Sequence, residues 1–221
     1  MSFSAVSMAV SGRVAAQVAE RSVRDARERA EAEVEAFVTA GLEVLRRTGA
    51  SRFTVAEVLA HAGRSTRAFY RHFESKDELL LAIYDHEARA SLGELRQQMA
   101  AARSTRDALV AWIDATLRLA HDPPRAQRTR VLAAEAKRLQ AEHPDEFAAI
   151  ANAQLEPLVE VLARGRDDGT FPAADPERDA ATVHAVVWAL VEDALQGGGS
   201  TLDADRAHAL RFCLPALGAA A

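Results

Sequence analysis

Residues Thr54 to Leu81, TVAEVLAHAGRSTRAFYRHFESKDELLL, constrain this chain more than any other stretch. Thr54 and Glu57 form a T-x-x-E start, and Ser75 with Glu78 repeats it, so hydroxyl and carboxylate can satisfy the free N–H groups of two helix starts. Between them Ala62-Gly63 supplies a residue that tolerates left-handed backbone, which ends one helix and turns the chain into the next. Ser65 is then placed to cap a second helix. Phe69 and Phe73, four apart, share a face that packs against Val55, Val58 and Leu59. A helix, a tight turn and a short second helix braced by two rings make a helix-turn-helix.

The opposite face is basic and polar. Arg67 and Arg71 are four apart with Arg64 one turn earlier, and Thr66 and Tyr70 lie beside them. Guanidinium can bind guanine O6 and N7 bidentately, and threonine can touch a base edge or a thymine methyl, so this face suits the major groove. Lys76, just inside the next helix start, adds its charge to unpaired N–H groups and the positive end of the dipole, as a phosphate clamp would. Arg52, just before Thr54, is a further candidate for a phosphate contact. The plainer reading of the same residues is a solvated charged face, but caps, turn, rings and cations agree on one structure.

The run A-G-x-S-x-x-A-F-Y-R-H-F-x-S-K-D-E-L-L, from Ala62 to Leu80, resembles the DNA-binding domain of the TetR family of transcriptional regulators. The resemblance implies that Thr66 and Arg67 face bases, that Tyr70, His72 and Lys76 hold phosphates, and that Thr54 does so from the preceding helix. With Arg52, Arg64, Ser65 and Arg71 these form the candidate DNA-binding set. Arg64 departs from the family pattern, which has a small apolar residue there, so its side chain is expected to point either outward or toward DNA.

Composition fits an all-α protein with an uneven charge distribution. The chain has 221 residues, 49% of them apolar and 5% aromatic, with a formal charge of −5. Residues 1–76 carry 12 basic and 9 acidic side chains, and residues 77–221 carry 15 and 23. Basic charge therefore sits with the helix-turn-helix, and the acidic remainder is expected to be held away from phosphate. The single cysteine, Cys213, excludes an intramolecular disulfide and lies on an apolar stripe that reads as core. No uncharged apolar run approaches the ~20 residues of a membrane span. The expected location is the cytoplasm.

Three segments follow from the pattern: an N-terminal extension over 1–27, a three-helix DNA-binding domain over 28–76, and a helical ligand-binding and dimerisation domain over 77–221. Residues 1–20 have no clear period, and Arg21, Arg24, Arg27 and Arg29 form either a solvated face or an arm toward an adjacent groove. From about Ala30 to Thr48, Val34, Phe37, Val38, Gly41, Leu42 and Leu45 keep helical spacing, and Gly49 ends the helix. A fourth helix opens at Ser75 and runs toward Met99. Further helices follow from Ser104 to His121, from Arg125 to Gln140, from Pro144 through an internal Pro157, from Asp179 to Gln196, and from Leu202 to Leu217.

Val183, Val186, Val187, Leu190 and Val191, with Leu210, Leu214 and Leu217, make the last two helices apolar over much of their circumference. They are either buried within one chain or form a symmetric four-helix interface, and the resemblance favours a homodimer. Trp112, Thr116, Phe147, Ile150, His184 and Trp188 are candidates to line a small-molecule pocket, apolar with a few hydrogen-bonding groups. No local Ser/His/Asp arrangement, phosphate loop, dinucleotide fingerprint or Cys-x-x-Cys pair is present, and the scattered histidines His121, His143 and His184, with Glu135 or Asp122, either converge on a metal or, as the more ordinary reading, are polar tips on separate helices. Neither cofactor nor metal is expected. The reading that results is a regulator that binds double-stranded operator DNA and an apolar effector; its rival is a helical binding protein or enzyme on the same scaffold that does not engage DNA.

Overall fold

The computed structural model describes the backbone of residues 3–49 and 52–219, and side chains within that range from residue 16 onward. All described secondary structure is helical, in the order α1 Phe3–Thr48, α2 Val55–Ala62, α3 Thr66–Tyr70, α4 Lys76–Ala100, α5 Thr105–His121, α6 Pro123–Glu142, α7 Pro144–Asp167, α8 Pro176–Leu195 and α9 Leu202–Ala216.

Helix α1 begins far earlier than the expected start near Ala30. Its segment over 16–32 is almost wholly exposed, and its Ala, Arg, Glu and Gln residues are strong helix formers. The Arg27–Glu31 pair at 2.7 Å, one turn apart, adds local support. Because this segment buries no face, it has no apolar period to betray it. Met1 and Ser2, and the side chains of residues 3–15, lie outside the described residues of the expected extension.

From Glu33 onward α1 turns an apolar face inward: Phe37, Val38, Ala40, Val44 and Leu45 are buried with Val58, Phe69, Phe73, Leu79, Leu80 and Ile83. Phe37 meets Phe69 and Phe73 edge-on at centroid distances of 5.6 and 6.0 Å, so three rings from α1, α3 and the turn after α3 form one cluster. Gly41 permits α1 and α4 to approach, since a Cβ there would stand 2.7 Å from Ile83 Cδ1. The expected caps are present. The hydroxyls of Thr54, Ser65 and Ser75 accept from the amides of Glu57, Ala68 and Glu78 at 3.3, 3.2 and 3.1 Å. Gly63 adopts φ +61° and closes α2. The return half of each capping box differs: the Glu78 carboxylate accepts from the amide of Glu74, one residue before the cap, and Thr54 donates its own proton to Glu57.

The second core gathers Leu109, Trp112, Ile113 and Leu117 of α5 with Leu158, Val161 and Leu162 of α7, Phe171 of the connection after α7, Val183, Val187 and Val191 of α8, and Ala209 and Cys213 of α9. Cys213 is a buried core residue, and burial pushes its thiol up. Pro157 sits buried within α7, which continues through it to Asp167. At Gly165, α7 abuts the buried Phe171 ring so closely that a Cβ would stand 2.1 Å from it. Helix α4 joins the two cores. Leu79, Leu80 and Ile83 belong to the first, while Leu95 and Met99 pack against the second.

Candidate nucleic-acid interface and ligand cavity

Helix α3 is a five-residue helix presented by the ring cluster beneath it. Arg52, Thr54, Arg64, Ser65, Thr66, Arg67 and Tyr70 are exposed, and the side chains of Arg52, Arg64 and Arg67 make no hydrogen bond or ion pair among the described residues. Arg64 points outward as its departure from the family pattern requires. Tyr70 is 59% exposed and its ring stands edge-on to buried Phe69 at 5.2 Å, which fixes a phenol at the surface. Lys76 is the first residue of α4, half-buried beside the Ser75 cap.

Two of the candidate contacts are placed differently. Because α3 ends at Tyr70, Arg71 is its C-cap rather than a member of the Arg67 face, and both Arg71 and His72 turn back to Glu33 of α1. His72 Nε2 lies 2.7 Å from Glu33 Oε2, and its side chain is only 11% exposed. The His72 and Arg71 hydrogen bonds hold the Glu33 carboxyl below its usual range. Arg71 and His72 thus leave the free cationic surface and tie the end of the turn to α1. Glu33 was missed because an acidic residue one turn before Phe37 reads as solvated until the third helix is folded against it.

Behind the reading head a cavity of about 270 Å³ lies between α4, α5, α6 and α8. Trp112, Thr116, His184 and Trp188 line it as expected; Phe147 and Ile150 do not. Phe147 instead meets the Tyr84 ring at a tilt, centroids 5.1 Å apart, and packs against the first core, so the lining residue from α7 is Gln154, further along the helix. The rings of His184 and Trp188 are nearly parallel at 5.9 Å, and Trp112 stands edge-on to His184 at 6.1 Å. The Trp112 indole N–H is fully buried without a hydrogen-bond partner, the one such side-chain atom among the described residues. An unmade bond of this kind costs about 1–3 kcal/mol, a cost that a bound acceptor would remove.

The opposite wall is charged. Glu87 and Glu94 of α4 face Arg128 and Arg125 of α6, with N···O distances of 3.4 and 2.7 Å. Glu87 and Glu94 are seven apart and Arg125 and Arg128 three apart, so each pair shares a helix face, a spacing that was available in the sequence.

Burial holds His184 below its usual value, so the imidazole is neutral at pH 7. Folding therefore opposes its protonation, and the linked stability is present above the ordinary histidine value of about 6.5 and falls as the pH drops below it. Acidification is expected to change the tryptophan emission with a midpoint below 6.5, because protonation places a cation against the Trp188 face. A fluorescence titration of the protein and of His184→Asn checks this, and an unchanged transition in the variant would reject the assignment.

The other histidines stand apart. His121 pairs with buried Asp205 at 2.8 Å, and His143 lies beside Asp77 and Glu142. Arg138 already bridges that acidic pair, 2.8 Å from Asp77 and 2.6 Å from Glu142.

An exposed one-turn helix with free arginines, set by caps and rings in a three-helix head on an all-α body, defines a helix-turn-helix DNA-binding regulator. Residues 37–83 match the family described as bacterial regulatory proteins, tetR family. That match covers the helix-turn-helix head, which is similar to that of TetR-family transcriptional regulators. Solved structures agree on the fold: a TetR transcription regulator from Haloarcula marismortui (20% identity, 83% of this chain and 97% of that chain, TM-score 0.67); a TetR-family regulator from Rhodococcus sp. described as putative (20%, 84% and 98%, 0.65); and the regulator FadR from Bacillus subtilis in complex with stearoyl-CoA (16%, 82% and 98%, 0.65). No curated protein sequence matches the chain. No described helix is long and apolar enough to cross a membrane.

Proposed function

We propose that this regulator works as a cytoplasmic homodimeric repressor, released from a palindromic operator when a small, mainly apolar molecule enters the cavity. The observation that carries the reading is the course of α4. Its first residues brace the reading head, and Tyr84, Glu87, Ser91 and Leu95 further along it line the cavity. A ligand that displaces this wall shifts the helix on which the head is mounted. By reciprocity, operator DNA weakens ligand binding by the same factor.

Residues 28–76 act as the DNA-binding unit and 77–221 as the ligand-binding and dimerisation unit. Thr66 and Arg67 read bases, while Arg52, Thr54, Tyr70 and Lys76 hold phosphates. Arg64 and Ser65 lie beside them; Arg71 and His72 contribute by fixing the turn against Glu33. Dimerisation through α8 and α9 is supported by Val186, Leu190, Leu210 and Leu214, half-buried in the single chain, and by Phe212, 59% exposed. The chain acts by binding, without catalysis. The cavity lies just below the ~300–1,000 Å³ range of small-molecule sites, which favours a compact effector over a long acyl chain.

A gel shift with the upstream intergenic region at two salt concentrations tests the DNA half of this reading, and absence of a shift with any genomic fragment would favour a binding protein that has lost DNA. Lys76→Gln is expected to weaken all sequences alike and to reduce the slope of log K against log salt by about 1. Sedimentation equilibrium tests the dimer, since a stable monomer would leave a palindromic operator without a mechanism.

A further inference from the structure

The unfilled hydrogen-bonding capacity of the cavity identifies the chemistry of its occupant, given the proposal that this cavity takes the effector. Two polar groups keep unspent donor capacity: the indole N–H of Trp112 and the guanidinium of Arg128. The first is buried and unpartnered. The second makes only a 3.4 Å ion pair to Glu87 and no hydrogen bond among the described residues, well short of the 2.7 Å bond that Arg125 makes to Glu94. The hydroxyls of Thr116 and Thr129, also in the lining, spend their protons on their own helices, at 2.9 and 3.0 Å, and present lone pairs to the cavity edge. The flat His184–Trp188 stack offers a ring-shaped apolar face.

The geometry points to a compact, flat organic anion as effector: a ring system against the His184–Trp188 face, an anionic group on Arg128, and a hydrogen-bond acceptor for the Trp112 N–H. A cation drawn to Glu87 would leave the Trp112 donor unpaired, and a hydrocarbon would do the same while leaving Arg128 with only its long pair to Glu87. Charge also supplies the trigger. An anion on Arg128 takes the partner of Glu87, and Glu87 belongs to α4. The incoming group therefore breaks a tie between α4 and α6 as it binds, and it does so on the helix that carries the reading head.

The probes are 6-hydroxy-2-naphthoate and its neutral counterpart, 6-hydroxy-2-naphthamide. Affinity is measured by isothermal titration calorimetry on the full chain. Quenching of the two tryptophans localises the binding, because both line the cavity. The acid is expected to bind at least ~10-fold tighter than the amide, and Arg128→Gln to erase that ratio. Glu87→Gln, which removes the competing carboxylate, is expected to tighten the acid alone, a gain that misfolding cannot produce. Trp112→Phe, which keeps a ring but deletes the donor, is expected to weaken both probes alike. Equal affinity for acid and amide, or a ratio that survives Arg128→Gln, overturns the anion assignment while leaving the cavity reading intact. If neither probe nor any ring analogue quenches the tryptophans, the cavity reading itself fails.

Discussion

Phe37→Ala is expected to lower the stability of the reading head by about 3–5 kcal/mol, the usual cost of emptying a buried aromatic site. Phe37 is fully buried on α1, and two of its neighbours are the rings that hold α3 in place. The surrounding helices are fixed at the Gly41–Ile83 contact, so the cavity collapses only in part. Set against a typical total of ~5–15 kcal/mol, this loss removes DNA binding at temperatures where the intact protein binds. Urea unfolding followed by circular dichroism, with a gel shift in parallel, measures both. A loss below about 1 kcal/mol would show that the ring cluster does not organise the head.

Arg67→Ala leaves the fold alone and acts on recognition. Arg67 is exposed and makes no hydrogen bond or ion pair among the described residues, so its removal costs none of those contacts. If it grips guanine through both acceptors, operator affinity is expected to fall by roughly 1–3 kcal/mol, with specificity relaxed at one base pair in each half-site. Arg67→Lys is not expected to restore the discrimination, because an ammonium lacks the planar fork that makes two parallel bonds. Binding-site selection with both variants tests this. A uniform loss across all sequences would assign Arg67 to phosphate instead.

What was legible in the sequence was local. Caps at Thr54, Ser65 and Ser75, the left-handed Gly63 and the Phe69/Phe73 pair are each specified by residues a few positions apart, and the structure reproduces them. What was not legible needed the third dimension or an exposed surface. Four-residue spacing put Arg71 on the Arg67 face, but α3 stops after five residues and the side chain pairs across 38 positions with Glu33. The start of α1 was missed because a helix without a buried face carries no periodicity. Phe147 and Ile150 lie on the right helix, one stretch too early. Which turns of α7 face the cavity depends on how that helix leans on the first core, and Tyr84 takes Phe147 for itself.

The exposed part of α1 has a consequence for how the molecule travels through a gel or a column. Residues 16–32 form a bare rod roughly 25 Å long at ~1.5 Å per residue, attached to the two packed cores. Such a spar adds friction far beyond its mass. Elution volume alone will therefore overstate the particle's weight, and a lone chain can pass for a pair unless mass is obtained from scattering or equilibrium centrifugation.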